Sequence, residues 1–333
     1  MSEITIQKSD FADDTIALFT GAKQAHMGKY MFSSPHLPSD PVRGAEKFAD
    51  VFNRCAHYYI PRDEQRLIIQ MIPNLSTYNS LIDLGCGTRD SVQNKAIPLL
   101  QAINASNYHP VDINHDYLNT ACAVIKTHTP QIKANSIAAD FFKSDLKQAF
   151  NSISNDRALA IMLGGTAMNL TCSPHQGFPK DDFIALMSNC LRALPRDSDM
   201  VITYDSCTDA HKIYGSYNTK LQAAFATNLM QRIARDLAPY GTFDANAWRY
   251  APQIVKHDNC IIVAQNLIAT KDMTFCIADI QMHITSGQSL TFSSSIKPRA
   301  ELITDILNRA KITTTNIRAH CNNTATWHSF RKT

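Results

Sequence analysis

LIDLGCGTRDSVQNKAIPLLQA, residues 81–102, is the stretch that decides the fold. A short apolar run carrying one aspartate stops at Gly-Cys-Gly-Thr, and a helical pattern follows. Small residues at the end of a strand let backbone approach a ligand closely. In open α/β sheets the ligand lies at the carboxyl ends of the strands. The stretch lacks the third glycine of the dinucleotide fingerprint GxGxxG and the GK[ST] of a phosphate-binding loop.

Working outward, the same rhythm repeats. SLIDLG, NYHPVDIN, NSIAADFF, RALAIMLGG and DMVITYDS read as five strands. Residues 91–103, 116–126 and 180–194 read as helices between them. On the 180–194 helix Phe183, Leu186, Met187, Cys190, Leu191 and Leu194 share one side. Strands alternating with helices of this length predict a parallel, doubly wound α/β sheet. Upstream, residues 1–44 read as loop-rich, with Pro and Ser concentrated in 33–44. A helix is expected over 45–55 and another from Pro61, which suits a first turn. After Asp205 the rhythm changes. Residues 214–238 read as one long helix. CIIVAQNLIAT and TFCIADIQMHIT read as an antiparallel pair around Lys271 and Asp272. A helix over 299–310 and a last strand pair complete the chain. The expected division is a loop-rich segment 1–44, a core of 45–205 and 294–333, and an inserted substrate domain 206–293.

The strand ends carry the candidate chemistry. The first offers Asp83, Gly85, Cys86, Gly87 and Thr88. The second ends at Asp112, whose carboxylate can accept from two ribose hydroxyls. The third ends at Asp140, placed to accept from an exocyclic adenine amine, with Phe141 beside the base. Gly164 closes the fourth. The ligand so drawn has a ribose and a base and no phosphate to neutralise, which is S-adenosylmethionine rather than a nicotinamide dinucleotide.

The totals exclude other classes. The 333 residues are 44% hydrophobic and 18% charged, with a net charge of only +3. No basic block suggests nucleic acid, and no apolar run approaches the roughly 20 residues needed to span a bilayer. MSEITIQKSDFADD lacks the apolar stretch of a secretion signal, so a cytoplasmic protein is expected; a monomer is the separate expectation for its assembly. Nine scattered cysteines form no CxxC pair, which argues against a disulfide framework. Cys172 and His175 have metal-ligand spacing but no second pair at finger-like spacing, so no metal is expected.

Several segments resemble the histidine-specific SAM-dependent methyltransferases, which include ergothioneine-pathway histidine Nα-methyltransferases and fungal dimethylallyltryptophan N-methyltransferases. HYYIPRDE resembles the family's EYYPTRxE segment, and DLGCGT and PVDINHDYL its cofactor strands. MLGGTAMNLT resembles LGSxxGNF, AAFATNLM resembles AAFNxNLL, and SSSIKPRAEL resembles EVSxKFxxxxL. The resemblance runs from about Phe48 to Phe330. It implies a Rossmann-like class I methyltransferase core with an inserted α+β substrate-binding domain. The implied activity is SAM-dependent methylation of the α-amine of a free amino acid, in some members to the trimethyl stage.

Residue by residue, the resemblance places Asn169 and Tyr59 at the substrate's amino-acid head, as catalytic candidates. Tyr214 or Tyr217 supplies a second phenol. Ser295 matches the serine of EVSxK, and Lys297 the lysine after it. Two positions depart. Ser293 stands where the histidine enzymes carry an imidazole-gripping glutamate, and Gln265 stands at a methionine-like position. A buried imidazole N–H without its carboxylate loses a charge-assisted hydrogen bond. The expected substrate is therefore histidine-like or another amino acid. The alternatives are another small amine, a modified amino acid or dipeptide, or a non-catalytic homologue that binds the cofactor or an amino acid.

Overall fold

Every residue of strands Ser80–Leu84, Ala158–Met162 and Asp199–Tyr204 is buried, as befits parallel strands covered on both faces. The computed structural model describes residues 8–21, 27–142, 146–153, 157–170, 173–319 and 323–332. It divides into two units. One comprises residues 1–58, 169–178 and 209–296, and the other 59–168, 179–208 and 297–333. The N-terminal segment and the residues around Asn169 thus join the unit that holds the expected insertion.

The second unit is built on an eight-stranded sheet. In order across it run Ile312–Ala319, Thr326–Lys332, Asp199–Tyr204, Ala158–Met162, Ser80–Leu84, Asn107–Asp112 and Lys133–Ala134, with Ile137–Ala138 also on Asn107–Asp112. The pairings are parallel except at Thr326–Lys332, which is antiparallel to both its neighbours. Strand order reverses between Ser80–Leu84 and Ala158–Met162, so a crevice at the carboxyl ends is expected there. The third expected strand is shorter than its sequence suggests. Only two two-residue segments pair, with Asn135 and Ser136 between them. One core packs Leu67 and Ile68 of helix Ile60–Met71 against Leu81, Leu99, Leu100, Tyr108 and Trp327.

The first unit corrects three expectations. Residues 8–20 form a helix, not a loop. Phe11, Thr15, Leu18 and Phe19 are buried at helical spacing, a face that the nearby prolines and serines mask. The expected single helix over 214–238 is two, Ala210–Tyr217 and Lys220–Leu237. Thr219 breaks them by taking extended backbone while its hydroxyl oxygen accepts the Gln222 N–H at 3.1 Å, an N-cap that starts the second helix. The expected strand pair is absent. Cys260–Ala269 lies between Trp248–Lys256 and Ser289–Pro298. Met273–Ile277 instead folds back on Ile280–Ile284. The two turn residues, Ala278 and Asp279, both have positive φ, at 47° and 63°, the twist that two-residue hairpins require.

Candidate active site

The carboxyl ends of the second unit's strands bring most of the expected cofactor residues together. Gly85 (φ 81°) leaves its strand in a conformation that L side chains rarely adopt. A Cβ there would stand 3.3 Å from Thr166 Cγ2 and 3.7 Å from Phe141 Cζ. Three strand-end loops therefore converge on this backbone, where even a methyl group would press on Thr166. Thr88 closes this turn by accepting the Ser91 N–H at 3.3 Å, capping the following helix. Cys86 is buried, and burial holds its thiol protonated by pushing its pKa up.

Asp112 is half-buried. It accepts the Asn114 N–H at 2.9 Å and receives the Ile113 and Gly87 amides as well. Burial outweighs those donors and pushes its carboxyl up to about 6. Asn114 caps the next helix, so Asp112 is not spent on that role. Asp140 accepts the Phe142 N–H at 3.0 Å, and Phe141 is buried beside Phe142, ring centroids 4.9 Å apart. Asp83 differs from the others. Its carboxylate accepts the buried Tyr108 hydroxyl at 2.8 Å, and burial pushes it up to about 7. That hydrogen bond runs to the neighbouring strand, Asn107–Asp112.

A second buried cluster lies at the end of Asp199–Tyr204. Tyr59 donates its hydroxyl to Asp205 Oδ2 at 2.7 Å. Lys297 Nζ is 3.6 Å from the same oxygen, and the Cys207 N–H reaches Oδ1 at 2.9 Å. Burial raises the Asp205 pKa, against the pull of Lys297 and Tyr59. Asp205 is absent from the sequence-based candidates, although it ends a strand as Asp112 does.

In the first unit the candidate substrate residues gather on the Ser289–Pro298 and Cys260–Ala269 strands. Tyr217 is buried and donates to Ser295 Oγ at 2.8 Å. Tyr58 meets Tyr217 edge-on at 6.2 Å. Gln265 Oε1 accepts from Tyr250 at 3.3 Å. Tyr250 is half-buried; desolvation is the main cause that raises its pKa, and Tyr217 and Tyr214 add to it, so three phenols share one neighbourhood. Tyr250 was not a sequence candidate, because nothing local marks a strand tyrosine as anything but packing. Tyr214 is 41% exposed, Asn169 is exposed and Ser293 is half-buried, two residues from Ser295 on the same strand face.

Cys172 lies outside the described residues. Among the described residues no group of three or more His, Cys, Asp or Glu could hold a metal ion. Nor is any helix long and apolar enough to cross a membrane.

The strand-end region of the second unit fits an adenosyl cofactor. Its walls are glycine backbone that a Cβ would fill at Gly85, and its reachable carboxylates suit ribose hydroxyls and an amine rather than a pyrophosphate. The family comparison points to the same cofactor. The family model described as "Histidine-specific methyltransferase, SAM-dependent" matches residues 24–332. The N-methyltransferase imqF of Aspergillus flavus is 23% identical over 291 residues, 81% of this chain and 73% of its own length. The uncharacterized protein y4iF of Sinorhizobium fredii is 22% identical over 220 residues, 65% of this chain and 68% of its own. A solved S-adenosylmethionine-dependent methyltransferase from Clostridium acetobutylicum is 12% identical, covering 86% of this chain and 98% of its own at a TM-score of 0.46. S-adenosylmethionine is the cofactor, and methyl transfer is the reaction class. A match across nearly the whole chain identifies it as a member of the histidine-specific, SAM-dependent methyltransferases.

Proposed function

We propose that the protein methylates the α-amine of a free amino acid whose side chain need not be imidazole. Support for an amino-acid substrate comes from the family's description and from the relative named as an N-methyltransferase. The side-chain argument rests on Ser293 together with the neutral, hydrogen-bonded lining that its own strand and the neighbouring strand carry. Tyr217 with Ser295 and Tyr250 with Gln265 are phenol, hydroxyl and amide groups. A serine where the histidine enzymes carry glutamate leaves that lining without the carboxylate an imidazole N–H would seek.

In this reading Gly85, Gly87, Thr88, Asp112, Asp140, Phe141 and Gly164 would hold the cofactor, which supplies an activated methyl group when bound. The residues' own task is to orient and to exclude water, since the methyl group arrives already activated. Tyr59 spends its O–H on Asp205 at 2.7 Å. Its oxygen can then only accept, which suits an amine N–H and aims the nitrogen lone pair elsewhere. Asn169 would contact the amino-acid head, as the family resemblance implies. The same neutral lining admits another small amine or a modified amino acid.

The test is mass spectrometry of a pooled amino-acid mixture incubated with the enzyme and S-adenosylmethionine. One to three methyl increments on an amino acid other than histidine are expected. Increments on histidine alone would overturn the side-chain argument. No methylation of any member would overturn the free-amino-acid reading.

A further inference from the structure

Three elements of the second unit meet on one buried carboxylate that the assignments above leave unused. Glu64, in helix Ile60–Met71, is 1% exposed. Its Oε1 accepts the Gly164 backbone N–H at 2.6 Å and also the Thr203 hydroxyl. Its Oε2 accepts from Lys95 Nζ, itself only 2% exposed. Thr203 supports the same turn twice. Its hydroxyl stands 3.1 Å from the Gly164 nitrogen, and its carbonyl accepts the Gly165 N–H at 3.1 Å.

The placement is what gives this cluster meaning. Gly164 follows strand Ala158–Met162 with φ 71°, and nothing lies within 4 Å of the position its Cβ would take. One side of this peptide is thus fixed by a buried acceptor while the other is open. Lys95 lies in a π-helical turn, Val92–Ala96, just after the glycine turn at Gly85–Gly87. Turns of this kind interrupt regular helix hydrogen bonding and recur at functional sites. A carboxylate buried this deeply is tolerated only when paired and hydrogen-bonded, and Lys95 supplies the pairing. Glu64 thereby ties the exit of the fourth strand to the helix that follows the first.

We propose that Glu64 is a positioning residue for the cofactor, acting through the Gly164 amide to set the glycine turn before S-adenosylmethionine arrives. It rests on the assignment of Gly164 to the cofactor wall. An interaction made with the enzyme alone should be felt in cofactor affinity, with kcat at saturation little changed.

The test replaces the ion pair with neutral side chains of similar size in the full chain. Glu64→Gln/Lys95→Met keeps an oxygen for Gly164 and Thr203, whereas Glu64→Met/Lys95→Met removes it. Lys95 is absent from both, so any direct part it plays cancels. Calorimetric titration with S-adenosylmethionine should give a Kd at least tenfold tighter for the glutamine variant, at comparable thermal stability. Equal Kd values would overturn the proposal and leave Glu64 a structural ion-pair partner. If either variant fails to fold, hydrogen exchange on the cofactor-free wild-type chain decides. Slow exchange at the Gly164 and Gly165 amides is expected, and exchange as fast as in exposed loops would overturn the proposal. Gly164→Val separates the two layers. An unchanged Kd there would remove the Gly164 assignment and the proposal with it, whereas a weakened Kd beside equal double variants would remove the proposal alone.

Discussion

Two aspartates at opposite ends of the same sheet are treated in opposite ways. Asp199 begins strand Asp199–Tyr204, and Asp112 ends Asn107–Asp112. Burial pushes Asp199 up, but Arg331 at 2.6 Å, Tyr78 at 2.6 Å and Arg157 at 3.0 Å outweigh it, and its pKa is lowered overall. Asp112 has only backbone amides to set against burial, and its carboxyl stays raised at about 6. One end of the sheet neutralises its charge with side chains of its own. The other leaves a carboxylate whose acceptor capacity a ligand can use. Perturbed groups with unspent capacity mark functional ends, and saturated networks mark structural ones.

The largest expected effect breaks the ligand end. Asp112→Ala should weaken S-adenosylmethionine binding about 10- to 100-fold, the worth of roughly 1.5–3 kcal/mol for hydrogen bonds to a charged group. The pH dependence has a defined sign. Hydroxyl donors need the ionised form, so wild-type affinity should rise as pH climbs through about 6 and level off above it. The unliganded protein behaves oppositely. A carboxyl raised on folding makes its stability contribution fall as pH rises from the unfolded value toward 6. Titrations from pH 5 to 8 on wild type and Asp112→Asn check this, and the variant should lose the slope attributable to this group. An equal slope in both would assign the titration elsewhere.

Breaking the other end should leave the ligand alone. Asp199→Ala strands Arg331, Arg157 and Tyr78 without their shared acceptor. A loss of about 1–3 kcal/mol is expected for removing one partner of such a network, at the lower end because Arg331 is 42% exposed and solvent screens it. The lowered pKa fixes the sign here too. The stabilisation is fully present above the unfolded carboxylate value and is lost as pH falls through the lower folded one. Denaturant melts at pH 7 and pH 3 should therefore show a mutational cost that shrinks in acid. Affinity for S-adenosylmethionine should stay within about twofold, and a larger change would erase the division between the two ends.

The difference between the ends also explains what could be read from sequence. Asp112 and the Gly85–Gly87 turn are legible because each interrupts an apolar run at a strand end, a signal within a few neighbouring residues. The buried strands Ser80–Leu84 and Ala158–Met162 are legible for the same reason. Glu64 and Lys95 are not, since they are 31 residues apart and each alone looks like a helix surface charge. Asp199 gathers Tyr78, Arg157 and Arg331 from three distant segments. The helix over 8–20 was hidden because its buried face precedes a proline-rich stretch that dominates the local pattern. The hairpin at Ala278–Asp279 was hidden because alanine is an unexpected residue at positive φ. In each case the missing information is tertiary pairing, which no local window contains.

The smallest expected effect sharpens the ligand end to a single methyl group. Gly85→Ala places a Cβ 3.3 Å from Thr166 Cγ2 on backbone at φ 81°. The left-handed conformation costs roughly 1–2 kcal/mol for an L residue, and reduced freedom of the unfolded chain returns about 0.4–1 kcal/mol. A net loss near 1 kcal/mol is expected, with weaker cofactor binding because the added methyl occupies the converging loops. Thr166→Ser removes Cγ2 yet keeps the hydroxyl that donates to the Leu163 carbonyl at 2.7 Å. The double variant should regain the steric part of the loss and none of the backbone part. Thermal melts and cofactor titrations on the three variants separate the two. Full recovery in the double variant would mean that the backbone carries no strain at Gly85, and no recovery would mean that Thr166 is not the neighbour that matters.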